Sequence, residues 1–327
     1  MNTTRPHAKP RIIALEEHYW DAEMATHFDA AENRSPKLRE RLFDLGELRL
    51  REMDEAGIEV QVLSQGAPGT HRLAPDIAVP LARRANDRLH EVVNANPSRF
   101  AAFATLPAAD PQASAEELER TVTRYGFKGA MVHGFTLVGD QRLYIDDKRF
   151  WPIFERAQAL DVPIYLHPAA PHPAVIEAYY KEYAADFPQL LSAGWGFTVE
   201  TATQAIRLVL SGVFNVYPKL TIILGHLGES LPFSLWRITH ALSRAGNRGI
   251  PFRDIFCEHF YITTSGNFSN PALLCSVMEM GVDRILFSVD YPFVDNPLGT
   301  QWMETVPLGA ADREKILHGN AERLLKL

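Results

Sequence analysis

Eight short apolar segments recur along the chain, each followed by a longer segment whose apolar residues repeat at helical spacing. The apolar segments are predicted strands at residues 12–18, 59–64, 100–106, 129–133, 163–167, 220–226, 261–265 and 284–290. Most are nearly continuous apolar runs, which are typical of parallel strands buried on both faces. Parallel neighbours need a crossover between them, usually a helix, so this alternation restricts the chain to an α/β fold.

The connections between the predicted elements are unequal in length. Those that enter a strand are short and carry glycine or proline, whereas most of those that leave a strand are long. This asymmetry is typical of a (β/α)8 TIM barrel, in which functional groups lie on the loops after the strands. An open doubly wound sheet is the alternative, but eight such units favour closure. We therefore expect a single domain over residues 1–327, with insertions after strand 1 (19–36) and strand 5 (168–195).

Charge and composition argue against several classes of partner. The formal net charge is -7, the isoelectric point is about 6.0 and no long basic run occurs, so we expect no nucleic-acid partner. No apolar stretch approaches the roughly 20 residues of a membrane span, and residues 1–10 lack the apolar core of a signal peptide. Cys257 and Cys275 fit neither a CxxC nor a zinc-ribbon spacing. We expect two reduced thiols and a cytoplasmic protein without a membrane partner.

The first predicted strand ends in charged and ionisable residues. Side chains alternate along a strand, so Glu16 and His18 are expected on one side, roughly 6.6 Å apart along the strand. A carboxylate and an imidazole at this spacing can bind one cation, whereas a buried carboxylate without a partner would be costly. Glu17 faces the other side, where we expect a salt bridge to a surrounding helix.

Later strands end in similar residues. Strand 4 ends in His133, strand 5 in His167, strand 6 in His226 and strand 8 in Asp290. In a barrel these ends surround one opening. Any one of these histidines could equally be a hydrogen-bonded core or surface residue, but their coincidence at the same end of several strands favours a shared site. Two or three imidazoles with two carboxylates suit a divalent cation that keeps an open position.

Four motifs follow one another along the chain. They are Glu16-x-His18, Leu166-His167-Pro168, Gly225-His226-Leu227-Gly228-Glu229 and Ser288-Val289-Asp290-Tyr291-Pro292. As a set they resemble the amidohydrolase superfamily and, within it, the nonoxidative aromatic-acid decarboxylases such as the γ-resorcylate and 2,3-dihydroxybenzoate decarboxylases. The similarity runs nearly end to end, from residues 14–18 to 320–323.

The resemblance implies a (β/α)8 fold and one divalent metal per chain, Mn²⁺ or Zn²⁺, with Mg²⁺ as a further candidate. It implies a set of four metal ligands, which are Glu16, His18, His167 and Asp290. Hydrolytic relatives usually have His-x-His on strand 1 and often a bridging lysine at the end of strand 4. Here strand 4 ends in Val132-His133, which disfavours a two-metal hydrolase.

The resemblance also implies an activity. It predicts a metal-dependent decarboxylase that releases CO2 from an ortho-hydroxylated aromatic carboxylic acid of the dihydroxybenzoate or resorcylate type. Asp290 is the expected proton donor, and His226 and Glu229 form a catalytic pair in which Glu229 orients the imidazole. The alternative for Glu229 is a charge that only stabilises a helix N-terminus. We further expect a homodimer or homotetramer, as is general in the family.

Four residues are candidates for substrate binding. Arg237 matches a family arginine, with a helix salt bridge as the alternative, and Phe293 could stack on the ring or belong to the core. His133 stands where the decarboxylases often have asparagine, and Tyr19 where they often have phenylalanine.

Two other functions stay open at this point. Related groups include mononuclear hydrolases or hydratases that act on a lactone or an unsaturated acid. A non-catalytic barrel that keeps its metal for structure or ligand sensing is the third alternative, although all four ligands are intact. Released CO2 would separate the first two functions, and any turnover would exclude the third.

Overall fold

The computed structural model describes residues 10–28 and 35–327. Its strands are β1 (Ile13–Tyr19), β2 (Val60–Gln65), β3 (Phe100–Ala102), β4 (Ala104–Thr105), β5 (Ala130–His133), β6 (Thr136–Val138), β7 (Gln141–Leu143), β8 (Ile164–His167), β9 (Ile222–Leu224), β10 (Phe260–Thr263) and β11 (Ile285–Leu286). Two sheets are parallel, with the orders β1-β2-β3 and β11-β10-β9-β8-β5-β4, and β6-β7 is an antiparallel hairpin. The predicted α/β fold with parallel strands is confirmed.

Backbone hydrogen bonds join the two parallel sheets at both edges. At one edge the chain runs from β3 of the first sheet directly into β4 of the second, with Phe103 between them. The Phe103 N–H donates to the Leu63 carbonyl at 2.9 Å, and the Ala104 N–H donates to the Gly129 carbonyl at 2.8 Å. At the other edge Leu15 pairs with Ser288 in parallel, and the His18 N–H donates to the Tyr291 carbonyl at 2.6 Å. Glu16 and Asp290, which belong to strands predicted to be first and last, are thereby brought together.

Helices connect the strands. They are α1 (Ala22–Ala25), α2 (Pro36–Phe43), α3 (Glu47–Ala56), α4 (Pro75–Ala95), α5 (Pro111–Tyr125), α6 (Trp151–Leu160), α7 (Pro173–Val175), α8 (Gly196–Ser211), α9 (Val213–Val216), α10 (His226–Glu229), α11 (Leu231–Leu242), α12 (Phe252–His259), α13 (Asn270–Met280), α14 (Asn296–Thr305), α15 (Ala310–Glu314) and α16 (Asn320–Leu325). The apolar spacing of residues 38–57 predicts one helix, but the chain forms two, because Asp44 accepts from the N–H groups of Gly46 and Arg49 and starts α3.

Apolar residues form two layers around the parallel strands. Ile13, Leu15, Phe103 and Tyr165 belong to an inner cluster contributed by alternate strand positions. The complementary positions face the helices in a larger outer cluster that includes Leu63, Leu89, Phe154 and Leu208. Polar side chains at the strand ends therefore lie above a dry inner core.

The two long connections contain short helical pieces. The connection after β1 carries α1, and its residues 29–34 lie outside the described part of the chain. The connection after β8 carries α7, a π-helical turn at Ile176–Tyr180 and a 3-10 turn at Pro188–Leu191. Among the described residues, no helix has the length and apolar character needed to cross a membrane.

Candidate metal centre and active site

Four side chains meet at the carboxyl ends of the parallel strands: two from β1, one from β8 and one from the segment after β11. One ligand atom each of Glu16, His18, His167 and Asp290 lies within 4.8 Å of the others. His167 Nε2 is 3.3 Å from Glu16 Oε1, and His18 Nε2 is 3.4 Å from Asp290 Oδ1. Glu16 Oε1 and His18 Nε2 are buried and have no hydrogen-bond partner among the described residues. Unpartnered buried donor atoms of this kind fit a divalent cation with mixed nitrogen and oxygen ligands.

Two of these four residues have strained backbones. Glu16 has φ 57° and Asp290 has φ 75°, a region that non-glycine residues rarely adopt. The register between β1 and β2 shifts between Ala14 and Glu17. The regular alternation of side chains along a strand was expected to bring Glu16 and His18 together. In the structure they converge because β1 has a local bulge at this point. Strain of this type is commonly held at functional sites by the surrounding structure.

Polar side chains below the cluster orient two of the ligands. The Tyr165 hydroxyl donates to Glu16 Oε2 and lies 3.0 Å from Thr263 Oγ1. Burial and the charge of Glu16 raise the pKa of Tyr165 well above its ordinary value, so the hydroxyl keeps its hydrogen. Ser64 Oγ lies 3.2 Å from His18 Nδ1. These contacts leave Glu16 Oε1 and His18 Nε2 facing the other ligands.

His226 and Glu229 form a close pair beside the cluster. His226 Nδ1 is 2.7 Å from Glu229 Oε1, while its Nε2 is 3.7 Å from Asp290 Oδ2 and 4.0 Å from Glu16 Oε1. Burial alone would lower the pKa of His226, but Glu229 and Glu16 raise it well above its ordinary value. Burial alone would raise the pKa of Asp290, but the neighbouring imidazoles of His18 and His226 hold it well below the usual range.

The backbone of this pair is unusual. His226 was predicted to end a strand, but β9 ends at Leu224, and α10, which begins at His226, is a left-handed turn and not a right-handed helix. Five consecutive residues, 226 to 230, have φ values of 52°, 56°, 79°, 53° and 63°. Only one of the five is glycine, although left-handed residues normally occur singly. The turn places positions 226 and 229 side by side, so that Glu229 reaches the His226 ring.

Glu17 stabilises the backbone around Asp290. The expected salt bridge to a helix is replaced by hydrogen bonds, because its carboxylate accepts from the N–H groups of Val289 at 2.9 Å and Tyr291 at 3.2 Å. Burial raises the pKa of Glu17 to about 8. These bonds clamp the backbone on both sides of Asp290, a function that the sequence pattern did not reveal.

His133 lies behind His167. Its Nδ1 is 3.0 Å from His167 Nδ1, and its Nε2 is 3.0 Å from the Gln65 carbonyl oxygen. Its backbone N–H donates to His71 Nε2 at 3.1 Å, and burial lowers the pKa of His71 to about 4, so His71 is a neutral acceptor. Both ring nitrogens of His133 are thus engaged within the protein, which argues against the predicted substrate contact. His71 was missed because a histidine in a loop carries no periodic signal.

The other three predicted substrate residues have different surroundings. The Phe293 ring lies 5.7 Å from the His18 ring at 61° and is 39% exposed, so it borders the cluster. Tyr19 is 3% exposed and belongs to the outer cluster between strands and helices, which argues against its predicted substrate contact. Arg237 lies on the exposed side of α11, next to Trp236.

Comparison with known proteins identifies the family. The family model described as Amidohydrolase matches residues 16–327. The chain belongs to the amidohydrolase family. This amidohydrolase is 45% identical over 331 residues to a γ-resorcylate decarboxylase of Polaromonas sp. (strain JS666), over 96% of this chain and 98% of the relative.

Two solved structures extend the comparison. A dihydroxybenzoic acid decarboxylase from Polaromonas sp. JS666, with bound manganese and the inhibitor 2-nitroresorcinol, superimposes with a TM-score of 0.91 at 44% identity over 97% of both chains. A 2,6-dihydroxybenzoate decarboxylase in complex with 2,6-dihydroxybenzoate has a TM-score of 0.88 at 41% identity, over 97% of this chain and all of the other. The family and the subgroup predicted from the four motifs are confirmed.

Proposed function

We propose that this amidohydrolase is a metal-dependent nonoxidative decarboxylase of a dihydroxybenzoate of the γ-resorcylate type. The observation that carries the proposal is the convergence of four ligand atoms within 4.8 Å in a chain that is 41% to 45% identical to such enzymes over nearly its whole length. The scaffold is a single (β/α)8 barrel with insertions after its first and fifth strands. Two parallel sheets that hydrogen-bond at both edges support this architecture.

The proposed cofactor is one divalent cation held by Glu16, His18, His167 and Asp290. Manganese is the first candidate, since a similar structure contains it, and Zn²⁺ and Mg²⁺ are the alternatives. When bound, the cation supplies a Lewis acid that can hold the substrate carboxylate and a neighbouring phenolic oxygen. The ortho oxygen explains the expected substrate class, because two oxygens fix the ring plane where one would not.

Asp290 is the proposed proton donor to the ring carbon that bears the carboxylate. Direct loss of CO2 would leave a poorly stabilised aryl anion, whereas protonation first, assisted by an ortho oxygen, avoids that species. The carbon–carbon bond then breaks, its electron pair restores the aromatic ring, and CO2 leaves. Because the low pKa of Asp290 leaves its carboxylate ionised at rest, the proton is proposed to come from the charged imidazole of His226, whose Nε2 lies 3.7 Å from Asp290 Oδ2. Glu229 is proposed to hold that imidazole in this orientation.

Two further features complete the proposal. The partly exposed Phe293 ring is proposed to contact the aromatic ring of the substrate. Arg237 remains a candidate contact to the carboxylate of the substrate. A homodimer or homotetramer is proposed because α11 exposes Phe233 and Trp236, at 86% and 70%, and a second copy could cover them.

Release of CO2 tests the function. The metal-loaded enzyme should decarboxylate 2-hydroxybenzoates, including the 2,6- and 2,3-dihydroxy acids, and should leave the 3- and 4-hydroxy isomers unchanged. Comparable turnover of a 3-hydroxybenzoate would contradict the proposed mechanism. Hydrolysis of a lactone, or hydration of an unsaturated acid, without CO2 from any benzoate would support the hydrolase or hydratase alternative.

A further inference from the structure

The hydrogen bonds of the His133 ring determine where its hydrogen lies. A backbone carbonyl only accepts, so the 3.0 Å contact to the Gln65 oxygen requires a hydrogen on His133 Nε2. A neutral imidazole carries one hydrogen, which leaves His133 Nδ1 as an acceptor. The 3.0 Å contact between the two Nδ1 atoms then requires His167 to donate from its own Nδ1.

This direction decides which nitrogen His167 offers to the cluster. With its single hydrogen on Nδ1, His167 presents the lone pair of Nε2 on the side of Glu16 Oε1, 3.3 Å away. The reverse direction would place the hydrogen of a neutral His167 on Nε2 and remove the ligand. The contacts of His133 therefore select the tautomer of His167 that can bind a cation.

We infer that His133 is a positioning residue that fixes His167 in its metal-binding tautomer and ring orientation. The inference rests on the proposed metal site. His133 is itself held from two sides: His71 Nε2 accepts its backbone N–H, and the loop at Gly69 approaches its ring so closely that an added Cβ would lie 3.2 Å from His133 Cδ2. A 3% exposed ring held at both nitrogens has little freedom to turn.

The geometry also makes asparagine a conservative replacement for His133. Asparagine Oδ1 and histidine Nδ1 are each two bonds from Cβ, so either atom can accept the His167 Nδ1 hydrogen. Leucine has a similar branched shape without an acceptor. The pair His133→Asn and His133→Leu therefore separates the hydrogen bond from the packing.

Metal affinity is the first readout. Competition with a chromophoric chelator, using Mn²⁺ and Zn²⁺, should show affinity reduced by about 10- to 100-fold in His133→Leu and close to wild type in His133→Asn. The matched control is His259→Leu, which removes another buried imidazole bonded to a backbone carbonyl, at the opposite end of the strands, and should retain its affinity. Wild-type affinity in His133→Leu, an equal loss in His259→Leu, or no rescue by His133→Asn would each overturn the inference.

The tautomer itself is the second readout. In zinc-loaded wild-type protein labelled with ¹⁵N-histidine, NMR should show the His167 hydrogen on Nδ1, whether or not the Leu variant folds. A hydrogen on His133 Nδ1, or none on His167 Nδ1, would reject the inference while leaving the metal site intact. If wild type binds neither cation, the proposed metal site fails as well.

Discussion

The Tyr165 hydroxyl donates a hydrogen bond to Glu16 Oε2 from within the inner core of the parallel strands. Tyr165 is 149 residues away in sequence, and both side chains are fully buried. One carboxylate oxygen is thus satisfied by the protein, and the other, Oε1, is left facing His167 and the remaining ligands.

Removing this hydroxyl should weaken the metal site. Within the described part of the chain, Tyr165→Phe leaves Glu16 Oε2 with only the 3.4 Å contact to Thr263 Oγ1. We expect about 10- to 100-fold lower metal affinity, measured by chelator competition. Tyr261→Phe on β10, which β9 separates from β8, is the control and should bind normally. An unchanged affinity in Tyr165→Phe would mean that metal binding does not depend on the hydrogen bond from Tyr165 to Glu16.

Asp290→Asn should separate metal binding from chemistry. The amide keeps a coordinating oxygen but loses the titratable proton, so CO2 release should fall by about 100- to 10,000-fold. The assay is run at saturating metal, with Asp295→Asn on the exposed surface as the control. A metal-loaded Asn variant that keeps its rate would remove Asp290 as the proton donor.

His226→Asn should keep the metal and lose most of its turnover. The four ligand atoms converge without His226, whose Nε2 stands 3.7 Å from Asp290 Oδ2. Metal content by elemental analysis and CO2 release are compared with wild type. Loss of the metal in this variant would show that His226 is itself a ligand.

Relief of the left-handed turn should stabilise the fold. Ser230 is exposed with φ 63° and makes no side-chain cap to α11, so Ser230→Gly exchanges a strained residue for one that tolerates this conformation. We expect a gain of up to about 1 kcal/mol in the free energy of unfolding, measured in urea. Ser243→Gly at the right-handed end of the same helix should give no gain. Equal effects of the two variants would indicate that the turn carries no strain.

Acid should destabilise the protein through His71. Its pKa is about 4 when folded and about 6.5 in an unfolded chain. Between these values the unfolded chain binds more protons, so this contribution to stability is complete above pH 6.5 and falls as the pH decreases toward 4. His71→Gln should therefore flatten the dependence of the unfolding free energy on pH over this window. An identical slope in both proteins would contradict the buried neutral imidazole.

The sequence by itself determined the alternation of strands and helices and the positions of the ligands. Apolar runs are local, so each predicted strand overlaps a strand of the structure. Glu16, His18, His167 and Asp290 are among the residues that end such runs, and the family resemblance selected these four, whose ligand atoms lie within 4.8 Å of one another. The family followed from the same motifs.

Only the tertiary structure decided what surrounds those ligands. In the sequence Tyr165 looks like any other residue of an apolar strand, yet its hydroxyl donates to Glu16. Glu17 forms no salt bridge to a helix within the described residues; its carboxylate accepts from the backbone N–H groups on both sides of Asp290. His133 ends its strand as His167 does, but its ring contacts the His167 ring on the side away from Glu16. The physical reason is that hydrogen-bond direction depends on partners 34 to 274 residues away, and the sequence periodicity contains no information about their distances or orientations.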